Sequence, residues 1–169
     1  VEPKLQALEQ KVRSALGAAL AQTLHAKYRS LENRTPYAPD GEQIAMRSLR
    51  NTCLAYLVSA DPENITLAVK QYRAAGNMTD RLAALKEIAF YGDSALRDNT
   101  LEAFYHDWRH EALVVNQWLQ LQAAIPDAQA LSRVQALLFH AEFDLRNPNK
   151  VRALVGGFAN QNPINFHRL

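Results

Sequence analysis

Two histidines separated by three residues form the most conspicuous chemical motif of the chain. His106 and His110 enclose the sequence Asp-Trp-Arg, and side chains at positions i and i+4 of a helix share one face. Such a pair can hold zinc, as in the H-E-x-x-H motif. Here, however, the position after the first histidine holds Asp107, whose carboxylate is one methylene shorter than the usual glutamate base. No other histidine lies at a ligand spacing, so the sequence favours a solvent-exposed pair on a polar helix face over a zinc site.

Other residues with chemical potential have structural interpretations. Cys53 is the single cysteine and lies in an apolar helical stretch, which predicts a buried thiol and excludes a disulfide framework. Gly156 and Gly157 lack the Lys-Ser/Thr of a phosphate-binding loop and lie within an apolar helical pattern. There they indicate a close helix approach or a helix end. The chain contains no G-x-S-x-G nucleophile elbow, so serine hydrolase chemistry has no support.

Tyr105, Trp108 and Arg109 could stack on nucleic-acid bases, as the side chains of helical RNA-repeat proteins do. Core packing explains the two aromatic residues equally well. The 19 basic and 17 acidic residues give a net charge of +2, and the Lys and Arg residues are scattered along the chain. Nucleic-acid-binding domains usually carry a clustered basic face. We therefore expect no nucleic-acid partner.

The composition predicts a soluble globular chain. Of its 169 residues, 48% are apolar, which is sufficient for a substantial core in one domain. No apolar run approaches the ~18 residues of a membrane span, and the N-terminus lacks a signal-peptide pattern. We expect a cytoplasmic protein with no membrane partner.

The elements that position these residues are predicted to be helices throughout, giving an all-α fold. A long first helix is expected over about 3–31, a loop over 33–41 and helix hairpins over 42–169. The predicted helix starts lie about 35 residues apart, a period typical of stacked helical repeats. They fall near Glu42, Thr79, Ala112 and Asn147. The sequence therefore predicts a single α-solenoid domain over residues 1–169, built from antiparallel hairpins, with a concave face.

The stretch from Glu111 to Ile125 is the predicted centre of this fold. It carries two apolar stripes at helical spacing and no charge after Glu111. Because a surface helix needs only one apolar stripe, this helix is expected to lie between neighbours. The residues predicted to form the core are Trp108, Trp118, Leu121 and Phe139.

Several stretches together resemble one family, the bacterial aminopeptidase N enzymes, in their C-terminal helical domain of the ARM/HEAT-like type. The segments that carry the resemblance occur in the family's order and spacing, from about Asn77 to His167. They are Gly76–Arg81, Trp108, Leu113–Ala123, Asn147–Ala159 and Asn162–His167.

The resemblance implies that the parent protein is a zinc metallopeptidase of the gluzincin type, which releases N-terminal amino acids from peptides. In that family, two histidines of an H-E-x-x-H helix and a downstream glutamate hold the zinc, and a G-x-M-E-N stretch grips the free amine. Neither motif occurs in this sequence, so it offers no catalytic or metal residue and no cofactor site of its own. We expect a non-catalytic C-terminal piece of the enzyme whose last hairpin is incomplete.

The resemblance also implies a role for this domain. It would pack on the catalytic domain of the same polypeptide, enclose the active-site cavity and control the entry of peptide substrates. The turn at the start of the Asn147 helix offers free N–H groups to a peptide carboxylate, and Asn149 and Arg152 are the candidate substrate-path residues. An equally good interpretation is that Asn147 only caps the helix and that Arg152 forms an ion pair at the surface. Two alternatives stay open: an independent α-solenoid scaffold for a protein or peptide, and a helical-repeat RNA-binding protein.

Overall fold

The computed structural model describes residues 2–32 and 35–167, and within these ranges every regular element is helical. The long helices are α1 (Glu2–Ala19), α2 (Ala21–Ser30), α3 (Gly41–Ala60), α4 (Ile65–Ala74), α5 (Met78–Tyr91), α6 (Ser94–Trp108), α7 (Ala112–Ala124) and α8 (Ala130–Leu137). Short elements follow: α9 (Pro148–Val151), a π-helical segment (Arg152–Gly156), α10 (Gly157–Gln161) and α11 (Pro163–Phe166). None of the described helices is both long and apolar enough to cross a membrane.

Contacts between helices divide the chain into two compact units. We call Glu9–Asp93 the central unit, and the described residues of Val1–Leu8 and Ser94–Leu169 the terminal unit. Each unit has its own buried residues and is built from pairs of packed helices. The prediction of an all-α fold is confirmed, and α3, α5, α7 and α9 begin where the sequence pattern predicts.

In the central unit, α2 packs on α3, α4 packs on α5, and α3 also contacts α5. The core between them contains fully buried aliphatic side chains and the Cys53 thiol, whose pKa is raised by burial. Polar side chains start the helices, because the first backbone N–H groups of a helix have no partner within it. Asp40 accepts a hydrogen bond from Gln43 N at 2.8 Å, and Asn77 accepts one from Asp80 N at 2.9 Å.

One feature of this unit differs from the sequence prediction. The first helix is interrupted at Leu20, where the backbone leaves the helical region and α2 begins one residue later. The helix start predicted near Thr79 is observed at Met78, and its N-cap is Asn77, whose side chain reaches the free Asp80 N–H. Within the predicted 33–41 loop, Asn33 and Arg34 lie outside the described residues, and α3 begins at Gly41.

Gly17 marks a close approach of α1 to α3. A Cβ atom at this position would overlap Tyr56 O and lie 2.8 Å from Ala60 Cβ. Although alanine is about 1 kcal/mol better than glycine in a helix, overpacking against a backbone oxygen costs more. We therefore expect Gly17→Ala to lower the free energy of unfolding in urea by about 2 kcal/mol. The matched control is Gly76→Ala, where a Cβ meets nothing within 4 Å. Equal stabilities of the two variants would contradict this placement of α1.

In the terminal unit, α7 contacts α6, α8, α9, the π-helical segment and α10. The inner position predicted for this helix is thereby confirmed. Gly157 lies against it, since a Cβ there would be 3.3 Å from Gln120 Cγ and 3.5 Å from Ala123 Cβ. Of the two roles predicted for the Gly-Gly pair, close approach is the one observed, because the helix continues to Gln161.

The four residues predicted to form the core of the terminal unit differ in how deeply they are buried. Trp118 is buried, with 6% of its surface exposed, whereas Trp108 and Leu121 are half-buried. Phe139 is 92% exposed, so its assignment to the core is wrong. The physical reason is that α8 ends at Leu137. Beyond that point the chain turns, and the helical spacing that would carry Phe139 inward no longer applies.

Candidate functional site

The histidine pair lies on the surface. Both His106 and His110 are exposed, as the sequence predicts, and the His110 ring faces that of Trp108 with centroids 6.4 Å apart. Within residues 2–32 and 35–167, no three His, Cys, Asp or Glu side chains come together in a group that could hold a metal ion.

The start of α9 has the capping geometry that the sequence predicts. Asn147 Oδ1 accepts hydrogen bonds from the backbone N–H groups of Asn149 at 3.0 Å and Lys150 at 3.4 Å. Because these bonds occupy the side chain of Asn147, its role here is that of an N-cap. Asn149 and Arg152 are both exposed, and Arg152 opens the π-helical segment. Such segments are frequent at functional sites. The substrate-path role of these two residues stays a prediction.

Beside this helix start lies a polar and aromatic cluster that the sequence analysis missed. The buried Lys150 Nζ donates to Glu142 Oε2 at 3.4 Å, and Tyr105 OH donates to Glu142 Oε1 at 3.3 Å. The Tyr105 ring stacks on Trp118 with centroids 4.7 Å apart and meets the edge of His140 at 5.0 Å. Partial burial and then the Glu142 charge raise the pKa of Tyr105. Since Trp118 already occupies one face of the Tyr105 ring, base stacking by Tyr105 loses support.

In the central unit, a hydrogen-bond network surrounds the buried Gln71. Gln71 Oε1 accepts from Tyr28 OH at 3.0 Å, and Gln71 Nε2 donates to Asn51 Oδ1 at 2.7 Å and Asp80 O at 3.0 Å. Asn51 Nδ2 in turn donates to Asp80 Oδ1 at 2.9 Å. Burial raises the pKa of Tyr28, partly offset by the nearby Arg50 charge. The network fixes side chains from α2, α3, α4 and α5 in one place.

Two cavities adjoin this network. The Tyr37 cavity has a volume of about 310 Å³, and the Tyr28 cavity about 240 Å³; Arg50 and Gln71 line both. Arg47 lines the first, is buried, and lies with Cζ 4.9 Å from the centroid of the Tyr37 ring. No local motif signals either cavity, because the lining residues come from separate helices. The sequence shows the charge of each lining residue but not that these residues meet around a cavity.

Glu87 is a buried carboxyl group in the same unit. Its Oε2 accepts no hydrogen bond within the described part of the chain, and burial raises its pKa to about 7 despite the opposing charges of Lys86 and Arg13. The usual value is 4.5. Between these two pH values the unfolded chain releases the proton and the folded chain keeps it. Stability therefore falls as pH rises through this window.

We expect Glu87→Gln to be more stable than the parent chain at pH 8, by up to about 3 kcal/mol, because each pKa unit is worth about 1.4 kcal/mol. At pH 4 the parent chain and the variant should have nearly equal free energies of unfolding. At that pH the Glu87 carboxyl is largely protonated in both the folded and the unfolded parent chain. Urea titrations of both proteins from pH 4 to pH 8 measure this difference. A gap that is independent of pH would contradict a buried, protonated Glu87.

Comparison with known proteins identifies the family. Residues 2–169 match the family model described as "Domain of unknown function (DUF3458_C) ARM repeats". The chain is 37% identical over 165 residues to aminopeptidase N of Caulobacter vibrioides, covering 96% of this chain and 19% of that protein. It is 38% identical over 161 residues to aminopeptidase N of Escherichia coli K12, covering 93% and 18% respectively.

A solved structure shows the same fold. The chain superposes on Legionella pneumophila aminopeptidase A, crystallised in complex with aspartic acid, with a TM-score of 0.84 and 30% identity. The superposition covers 97% of this chain and 20% of that chain, so the sequence spans about a fifth of the relatives it matches. The resemblance to the C-terminal domain of aminopeptidase N is confirmed, as is the α-solenoid class. The chain belongs to the DUF3458_C family of ARM-repeat domains.

Proposed function

We propose that this chain is the non-catalytic C-terminal domain of a zinc-dependent aminopeptidase N. In this proposal it packs on the catalytic domain of the same polypeptide, encloses the active-site cavity and controls which peptides enter. The reaction of the whole enzyme is the release of N-terminal amino acids from peptides, and the zinc belongs to the catalytic domain. The observation that carries the proposal is the match of nearly the whole chain to about a fifth of each aminopeptidase N relative.

The surface of each unit supports packing against further protein. In the terminal unit, Phe139 is 92% exposed, Leu113 77% and Leu145 74%. In the central unit, Val12 and Leu16 are exposed at a spacing that places them on one face of α1. Single exposed apolar residues are normal, but side chains this large and this exposed are candidates for contact with further protein. A larger polypeptide offers a partner that would cover them.

The first test compares the isolated chain with the full-length polypeptide in an aminopeptidase assay. We expect no hydrolysis of aminoacyl amides by the isolated chain, and hydrolysis by the full-length protein that a zinc chelator abolishes. Hydrolysis by the purified isolated chain would overturn the non-catalytic role. An inactive full-length protein would overturn the assignment to an aminopeptidase.

A second comparison of the isolated chain with the full-length protein tests whether the exposed apolar residues contact further protein. In the isolated chain, replacing Phe139 and Leu113 together by serine should change the free energy of unfolding by less than about 0.5 kcal/mol, because these side chains lose little burial. In the full-length protein the double variant should melt at a lower temperature and accept long peptides relatively better than short ones. Gln117→Ser, at an exposed polar position of α7, is the matched control. Identical behaviour of the double variant and the control in the full-length protein would contradict packing through this surface.

A further inference from the structure

Arg50 of α3 is held on the Tyr28 ring. Its Cζ lies 4.5 Å from the ring centroid, and its Nη2 donates to Tyr28 OH at 3.3 Å. Tyr28 OH is itself bonded to the buried Gln71 at 3.0 Å, so the guanidinium rests on a fixed support. Stacking on an aromatic face combined with a hydrogen bond orients the planar group. Arg50 is therefore set in place before any ligand arrives.

The Nε atom of this guanidinium is buried and donates no hydrogen bond within residues 2–32 and 35–167. In the same ranges, no carboxylate lies within ion-pair distance of Arg50. The preferred acceptor of a guanidinium edge is a carboxylate or phosphate, which takes two parallel hydrogen bonds. Because Nε is closed off from the cavity, an oxyanion bound there would meet the other N–H groups of Arg50, which lines the cavity.

The Tyr28 cavity, which Arg50 lines, carries an excess of positive charge. Arg29 and Lys70 also line it, against the single carboxylate of Glu32. Lysine and arginine side chains at the rim attract an anion and remain free to adjust to it. The rest of the wall is formed by Leu67, Ala74 and the Tyr28 ring, which are apolar, and by His25 and Gln71, which are polar.

We propose that the Tyr28 cavity is a binding site for a small organic acid that carries one carboxylate and an apolar group. The carboxylate accepts hydrogen bonds from Arg50, the rim charges of Arg29 and Lys70 compensate it, and the apolar group lies against Leu67 and the Tyr28 ring. The volume of about 240 Å³ equals that of about eight liquid waters, which is room for a small organic molecule. The apolar wall favours an organic acid over free phosphate. This proposal is independent of the proposed function, because the residues that line the Tyr28 cavity have no part in that function.

Calorimetric titration of the chain with N-acetyl-leucine tests the proposal, with the neutral N-acetyl-leucinamide and inorganic phosphate as matched probes. We expect the acid to bind at least about tenfold more tightly than the amide, the ratio that 1.4 kcal/mol produces. Phosphate should bind more weakly than the acid, because it has no apolar group to bury. Equal affinities for acid and amide, phosphate binding as tight as that of the acid, or no heat from the acid at millimolar concentration would each overturn the proposal.

Two variants locate the site. Arg50→Lys keeps the charge but removes the planar fork, and should weaken binding of the acid about tenfold. Lys70→Met removes an exposed rim charge, which does not threaten folding, and should weaken binding about threefold, with a smaller effect at high salt. The control is Arg73→Met, an exposed position of the same helix that does not line the cavity. Lys70→Met and Arg73→Met behaving alike would place the ligand elsewhere and overturn the assignment.

Discussion

Replacing Trp118 with alanine is expected to lower the free energy of unfolding by about 3–5 kcal/mol, the usual cost of removing a buried tryptophan. Trp118 is the aromatic centre of the terminal unit: its ring stacks on Tyr105 at 4.7 Å and lies 5.3 Å from the ring of His140. Its Nε1 donates to Leu101 O at 2.9 Å, which ties α7 to α6. Truncation would leave a cavity beneath Tyr105, which the surrounding helices cannot fill without moving.

Urea unfolding followed by circular dichroism measures this loss. Trp118→Phe is the matched variant, because it keeps an aromatic ring and removes only part of the volume and the N–H donor. Its expected cost is about 1–2 kcal/mol. A loss below about 1 kcal/mol for the alanine variant would contradict the inner position of α7.

Replacing Asn162 with alanine is expected to cost a comparable amount, about 3–5 kcal/mol, through hydrogen bonds rather than volume. The side chain is fully buried, and its Nδ2 donates to Ala123 O at 3.0 Å and to Ile125 O at 2.8 Å. These carbonyls lie at the end of α7, where a helix has no donors of its own. Asn162 Oδ1 also accepts from Asn165 Nδ2 at 2.8 Å. The alanine variant leaves three buried polar groups without partners at once.

Asn160→Ala is the matched control for this experiment. Asn160 is exposed, and its Nδ2 donates to Gly156 O, four residues earlier in the chain. The control should therefore change the free energy of unfolding by less than about 0.5 kcal/mol. Hydrogen exchange adds a local readout, since losing the cap should speed the exchange of amides in the last turn of α7. Equal costs for the two asparagine variants would show that Asn162 does not cap α7.

Local patterns were sufficient where a structural signal is contained within a few residues. Asn147 begins α9 because its side chain suits the first turn, and its hydrogen bond to the Asn149 N–H is present at 3.0 Å. The doubled apolar stripe of Glu111–Ile125 likewise identified the inner helix, because a residue's face on a helix follows from its spacing. The same spacing rule placed Phe139 in the core, and that prediction is wrong because α8 ends at Leu137, before Phe139.

The sequence by itself determined the helical class, the starts of α3, α5, α7 and α9, the inner position of α7 and the resemblance to aminopeptidase N. Only the tertiary structure decided which distant residues come into contact. It shows that Asn162 caps the end of α7 and that α3 packs closely against Gly17 of α1. It also shows that the Arg50 guanidinium stacks on the Tyr28 ring beside a cavity. The reason is physical. Caps and stripes depend on neighbours within one or two turns, whereas burial, an unsatisfied donor and a cavity depend on atoms that different helices bring together.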